Sequence, residues 1–112
     1  MTSSGKKPDP LKPEQVREVV LAALSDEGSY TEQPLSLHAR FDHLDRKIDL
    51  NDVIFGLKAK WSACKVERFD EENWQWVYEI KTEDIEGREF FIVLRLDSRN
   101  KRFHVITRYP ND

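Results

Sequence analysis

One cysteine, Cys64, is the chain's entire thiol content, so an internal disulfide is ruled out. Neither it nor the three histidines fall at a spacing that resembles a zinc site. No apolar run approaches the roughly 18 residues that a membrane-spanning helix needs. The opening MTSSGKKPDP has no hydrophobic region of the kind a secretory signal carries. Positive charge is also short: 18 lysines and arginines stand against 21 aspartates and glutamates, a formal net charge of −3. Gripping nucleic acid over a whole surface requires the opposite field, although a local basic patch stays open. Internal repeats and low-complexity segments are missing as well. These absences point to a soluble protein of the reducing cytoplasm, with no metal, no cofactor and no membrane attachment.

What is present is enough for one modest core. A chain of 112 residues makes a single domain. Residues 1–10 read as a disordered leader of small, polar and proline residues, and residues 11–110 as the folded unit. In LKPEQVREVVLAALSDEG, Val16, Val19, Val20, Ala23 and Leu24 recur at helical spacing, with Pro13 suited to the first turn and Gly28 beyond the stop. GSYTEQP reads as a loop. Leu37, Phe41, Leu44 and Ile48 then form a second helical stripe, with Ser36 as its cap. Asp49 caps a third helix carrying Leu50, Val53, Ile54 and Leu57.

From Cys64 the hydrophobic period changes from helical to two. CKVERF, WQWVYEIKT, REFFIVLRL and KRFHVITRY read as four strands separated by short polar turns, which implies an antiparallel meander. Strict alternation places Trp74, Trp76, Tyr78 and Ile80 on the helix-facing side, with Phe90, Ile92, Leu94 and Leu96. On the last strand it places Phe103, Val105 and Thr107 inward, and Arg102, His104, Ile106 and Arg108 outward. The expected fold is therefore α+β, N-terminal helices packed on a four-stranded antiparallel sheet.

Two groups of residues could carry chemistry. On a wheel of roughly 100° per residue, His38 and Asp42 share one flank of the second helix, one turn apart. A carboxylate there can orient an imidazole and raise its basicity. The same spacing fits a solvated boundary pair. His38 and His43 point apart, so they do not form a two-histidine metal site. The second group is Arg95, His104 and Arg108 on the outward sheet face, a set that suits a phosphate. It equally fits a solvated face laced with cross-strand pairs. Trp74 and Trp76 read as core rather than as base-stacking platforms, and Cys64 as an inert thiol.

The run Ser36-Leu37-His38-Ala39, then Arg46-Lys47-Ile48 and Asp52-Val53-Ile54, with the close Val105-Ile106-Thr107-Arg108-Tyr109, resembles a family of small bacterial domains, domain of unknown function 4258. The likeness covers about residues 35–109. It implies a RelE/ParE-like, barnase–colicin-type fold, and with it the metal-independent RNA cleavage of toxin–antitoxin ribonucleases. By that likeness His38 is the acid or base, and Arg46 and Thr107 would meet phosphate or the leaving group. The pattern of the residues adds Asp42 to orient His38, His104 as a proton donor and Arg95 and Arg108 for phosphate, and the partners would be RNA or an antitoxin-like protein. Two departures leave open the alternative of a fold kept without nuclease activity, as a protein-interaction module. Asp42 stands where relatives often carry a further arginine, and the chain is acidic.

Overall fold

Helix α1 (Pro13–Leu24) begins with proline at its first position, where no N–H is required, and buries Val16, Val20 and Ala23. The computed structural model describes residues 6–25, 30–32 and 48–111. The second helical stripe expected from Ser36 onward, apart from Ile48 at its end, lies outside the described residues, together with His38, Asp42, His43 and Arg46. Helix α2 (Leu50–Lys58) forms where the third stripe predicts it. Its start is fixed reciprocally: the Asp52 N–H donates to Asp49 Oδ1 at 2.9 Å and the Asp49 N–H to Asp52 Oδ2 at 3.1 Å. At its other end Arg17 of α1 donates to the Ala59 and Lys58 carbonyls at 2.6 and 3.2 Å, a cation on orphaned acceptors at the negative pole. Neither described helix is long and apolar enough to cross a membrane.

Four strands follow as an antiparallel meander: β2 (Ala63–Asp70), β3 (Gln75–Glu83), β4 (Glu89–Asp97) and β5 (Arg102–Pro110). An aspartate organises each hairpin. Asp70 accepts from the Glu72 and Asn73 N–H groups, Asp84 from those of Glu86 and Arg88, and Asp97 from that of Asn100. Short carboxylates can take turn N–H groups that no ladder satisfies. The architecture is α+β with the helices preceding the meander.

One strand was not expected. Part of the supposed loop GSYTEQP, Tyr30–Glu32, is strand β1, paired in parallel with β5 so that the spatial order is β1-β5-β4-β3-β2. Its partner lies some seventy residues away in the chain, and three residues hold too short a pattern for alternation to register.

The core lies between the helices and one sheet face. Tyr78, Ile80, Phe90, Ile92, Leu94, Leu96, Phe103 and Val105 meet Val16, Val20, Val53 and Leu57 there. Helix α2 approaches closely at Gly56, where an added Cβ would lie 2.6 Å from Thr82 Cγ2 and 2.9 Å from Phe90 Cζ. The buried Thr82 hydroxyl donates to the Gly56 carbonyl at 2.7 Å, binding helix to sheet.

Two expectations about the ends of the sheet change. Trp74 does not join Trp76, Tyr78 and Ile80 in the strand. It occupies the left-handed position that closes the β2–β3 turn (φ 56°), is 42% exposed, and meets Phe69 edge-on at 4.9 Å. Asp70 draws the turn residues into its own hydrogen bonds, so the chain must reverse at Trp74 before β3 can start. The leader, in turn, is not loose throughout. Pro8 accepts from the Trp76 indole N–H at 2.8 Å, and the Leu11 N–H donates to the Tyr78 hydroxyl at 2.9 Å.

Candidate functional site

The sheet face turned away from the helices gathers most of the chain's polar sheet residues, and a single extra residue decides its composition. Between Val93 and Leu94 the β4–β5 register slips: Leu94 pairs with Val105, but Val93 pairs with Thr107, leaving Ile106 unpaired. A bulge of this kind exchanges the two faces for everything beyond it. Thr107, expected inward, turns outward together with Tyr109. Arg108, expected outward, lies opposite core residue Ile92, is 8% exposed, and donates from Nε to the Ile48 carbonyl at 2.9 Å.

The anticipated cluster therefore divides. Arg95 and His104 are direct cross-strand partners on the outer face. Arg108 is on the opposite side of the sheet, where its guanidinium satisfies a backbone carbonyl at the entry to α2. Thr107 is on the face of Arg95 and His104. His38, Asp42 and Arg46 are outside the described residues, so their relation to this face is not described.

Around Arg95 the charges are matched. Its Nη1 lies 3.5 Å from Asp70 Oδ2, and its Nε donates to Gln75 Oε1 at 3.1 Å. Hydrogen bonding from the Asn73 side chain, ahead of the Arg95 charge, holds the Asp70 carboxyl below its usual range. His104 is displaced downward, first by burial and then by the neighbouring Arg95 cation, so that at neutral pH it is the uncharged imidazole. A neutral imidazole beside a paired arginine gives little positive potential to an incoming phosphate.

On the other half of the face alternation places Glu79, Lys81 and Phe91, and the bulge adds Tyr109. Tyr109 stacks on Phe91 with ring centroids 5.0 Å apart, and its hydroxyl donates to Glu79. Lys65 reaches the same carboxylate at 3.3 Å, while Lys81 lies 3.7 Å from Glu89 and over the Phe91 ring. Burial, then the Glu79 carboxylate, pushes the Tyr109 phenol up to about 12. It stays protonated, a donor rather than a base. Alternation brings Glu79 to this face, but only the bulge at Ile106 brings Tyr109 there, and no residue type announces a bulge.

Among the described residues other reactive chemistry is sparse. Burial pushes the Cys64 thiol up to about 11, which keeps it from the thiolate form that attacks electrophiles. Among the described residues no group of three or more His, Cys, Asp or Glu is placed to hold a metal ion. The face can present a pair of stacked aromatic rings, a phenol donor and a mosaic of compensated charges. No protein-family model, curated protein or solved structure matches the chain.

Proposed function

We propose that this domain is a non-catalytic protein-interaction module, built on a RelE/ParE-like fold, that meets its partner with the outer sheet face. The observation that carries this reading is the position of Arg108. With that residue serving the Ile48 carbonyl, the face keeps one of the two strand arginines wanted for phosphate, and Asp70 neutralises it. The Phe91–Tyr109 stack and its flanking Lys65–Glu79 and Lys81–Glu89 pairs form an aromatic centre with a charged surround. Protein–protein interfaces favour that composition.

A toxin-type ribonuclease is the second reading, favoured by the direct pairing of Arg95 with His104 and by Thr107 on the same face. In that case His38 would exchange protons during attack of a 2′-hydroxyl on the adjacent phosphate, and Arg46 and Arg95 would hold the charge. One experiment separates the two. The interaction reading expects bacterial overexpression to leave growth and total RNA intact, and cross-linked complexes with a partner protein to vanish in the Phe91→Ala/Tyr109→Ala double variant. Growth arrest with RNA cleavage, both abolished by His38→Ala, would overturn it in favour of the ribonuclease.

A further inference from the structure

At the end of the sheet where β3 begins, away from the face just described, three aromatic side chains gather. Phe69 meets Trp74 and Trp76 edge-on, with ring centroids at 4.9 and 4.8 Å. Across this group runs residues 7–11, KPDPL. Prolines at positions 8 and 10 bias Lys7 and Asp9 to extended backbone and remove two N–H donors, so the segment makes no ladder of its own. It is held by groups that read an extended peptide from the side. The Trp76 indole N–H donates to the Pro8 carbonyl at 2.8 Å, and the Tyr78 hydroxyl accepts from the Leu11 N–H at 2.9 Å. Lys7 sits 5.2 Å from the Phe69 ring centroid and 3.7 Å from Glu71.

The segment does not fill the space it borders. Pro8, Asp9 and Leu11, Trp74 and Trp76, and the Asp97–Asn100 turn line an open cleft of about 420 Å³. Residues 6–10 are exposed, and so is the ion pair between Lys7 and Glu71. A strap needed only to seal the core would be buried along its length. This one rests on a tryptophan donor, an aromatic ring and an exposed carboxylate, the features by which aromatic grooves take proline-containing segments. We propose that the aromatic surface of Phe69 and Trp76 beneath residues 7–11, continued by the cleft beside it, is a recognition groove for an extended, proline-containing, lysine-bearing segment of a partner protein, and that residues 7–11 cover part of it in cis as a stand-in. The cis segment lowers the affinity for the partner by the fraction of molecules in which the groove is covered. This proposal does not depend on how the outer sheet face is used.

The test is an NMR titration of the full chain with a synthetic KKPDPLK peptide, reading the Trp74 and Trp76 indole N–H signals. The peptide should shift the Trp76 signal and move the signals of Lys7 and Asp9 toward unstructured positions. Lys7→Glu sets a like charge against Glu71 and removes the cation from Phe69. In the full chain it should loosen the cis segment and tighten peptide binding by about fivefold. In the Lys7→Glu background, where the cis segment is already loosened, Trp76→Phe keeps the ring and loses the donor, and should weaken peptide binding by a similar factor with the melting temperature retained. Three results would each overturn the proposal: no shift at millimolar peptide in either wild type or Lys7→Glu, equal binding of a KKADALK peptide, or light scattering showing that Lys7→Glu pairs with a second copy instead.

Discussion

Replacing Arg108 by methionine keeps an aliphatic stem of similar length in the sheet and removes the guanidinium. In the wild type that group is buried at 8% exposure and donates to the Ile48 carbonyl at 2.9 Å. A hydrogen bond with a charged partner contributes about 1.5–3 kcal/mol, and its loss leaves a buried carbonyl without this donor. Relief of the desolvation of a buried cation offsets part of this. The net expectation is a loss of about 2 kcal/mol, near the middle of that range. For a domain of this size each kcal/mol moves the melting temperature by about 4 °C, so the midpoint should fall by roughly 8 °C. Thermal and urea unfolding followed by tryptophan fluorescence would measure it. Arg95→Met is the internal comparison: its pair with Asp70, partly buried but loose at 3.5 Å, should be worth about 1 kcal/mol, half the Arg108 effect. Equal and small effects, both within about 0.5 kcal/mol, would refute the reasoning. They would mean that Arg108 faces solvent and that the bulge at Ile106 does not form.

Gly56→Ala should gain about 1 kcal/mol of helix propensity and lose more than that through contacts at 2.6 and 2.9 Å with Thr82 and Phe90. The net is a destabilisation of about 1 kcal/mol, read from the urea midpoint, and a stabilised variant would contradict the close packing. His104 has its pKa lowered on folding, so the unfolded chain takes up the proton first as pH falls. Stability should therefore decline as pH drops through the ordinary histidine range, and His104→Gln should flatten that decline. The Tyr109 phenol, pushed up to about 12, should appear as a late step in an ultraviolet titration. Stability should fall as pH rises from the usual tyrosine range toward that value, because the unfolded chain loses its proton earlier. Tyr109→Phe should remove both effects.

Most of the scaffold was legible because its determinants are local. Valines at positions 16 and 20 and the proline at 13 specify α1, the Asp49–Asp52 box starts α2, and alternation from Cys64 onward marks four strands with an aspartate at three of the turns. What was not legible depends on distant or single-residue events. Strand β1 exists only because β5 offers it an edge. The bulge at Ile106 follows from what Arg108 and Tyr109 find on each side of the sheet, the Ile48 carbonyl and the Phe91 ring, and alternation carries no information about either. Simple counting would have preferred Thr107 in the core and Arg108 in water. Trp74 reads as a core aromatic in the sequence, yet the hydrogen bonds of Asp70 make it a turn residue. The pairing of Tyr109 with Glu79 was missed because the bulge that takes Arg108 inward is the one that brings Tyr109 out.

Strand β2 is the margin of the sheet on the side away from β1. Its pairing with β3 slips between Val66 and Arg68, and Lys65, Glu67 and Arg68 along it are exposed. A strand arriving from another molecule would meet an uneven spacing of amides and would have to desolvate three ions to zip onto it. Backbone-to-backbone polymerisation is thus discouraged at this border. Whatever docks on this border then does so through side chains, where selectivity between one neighbour and another can be encoded.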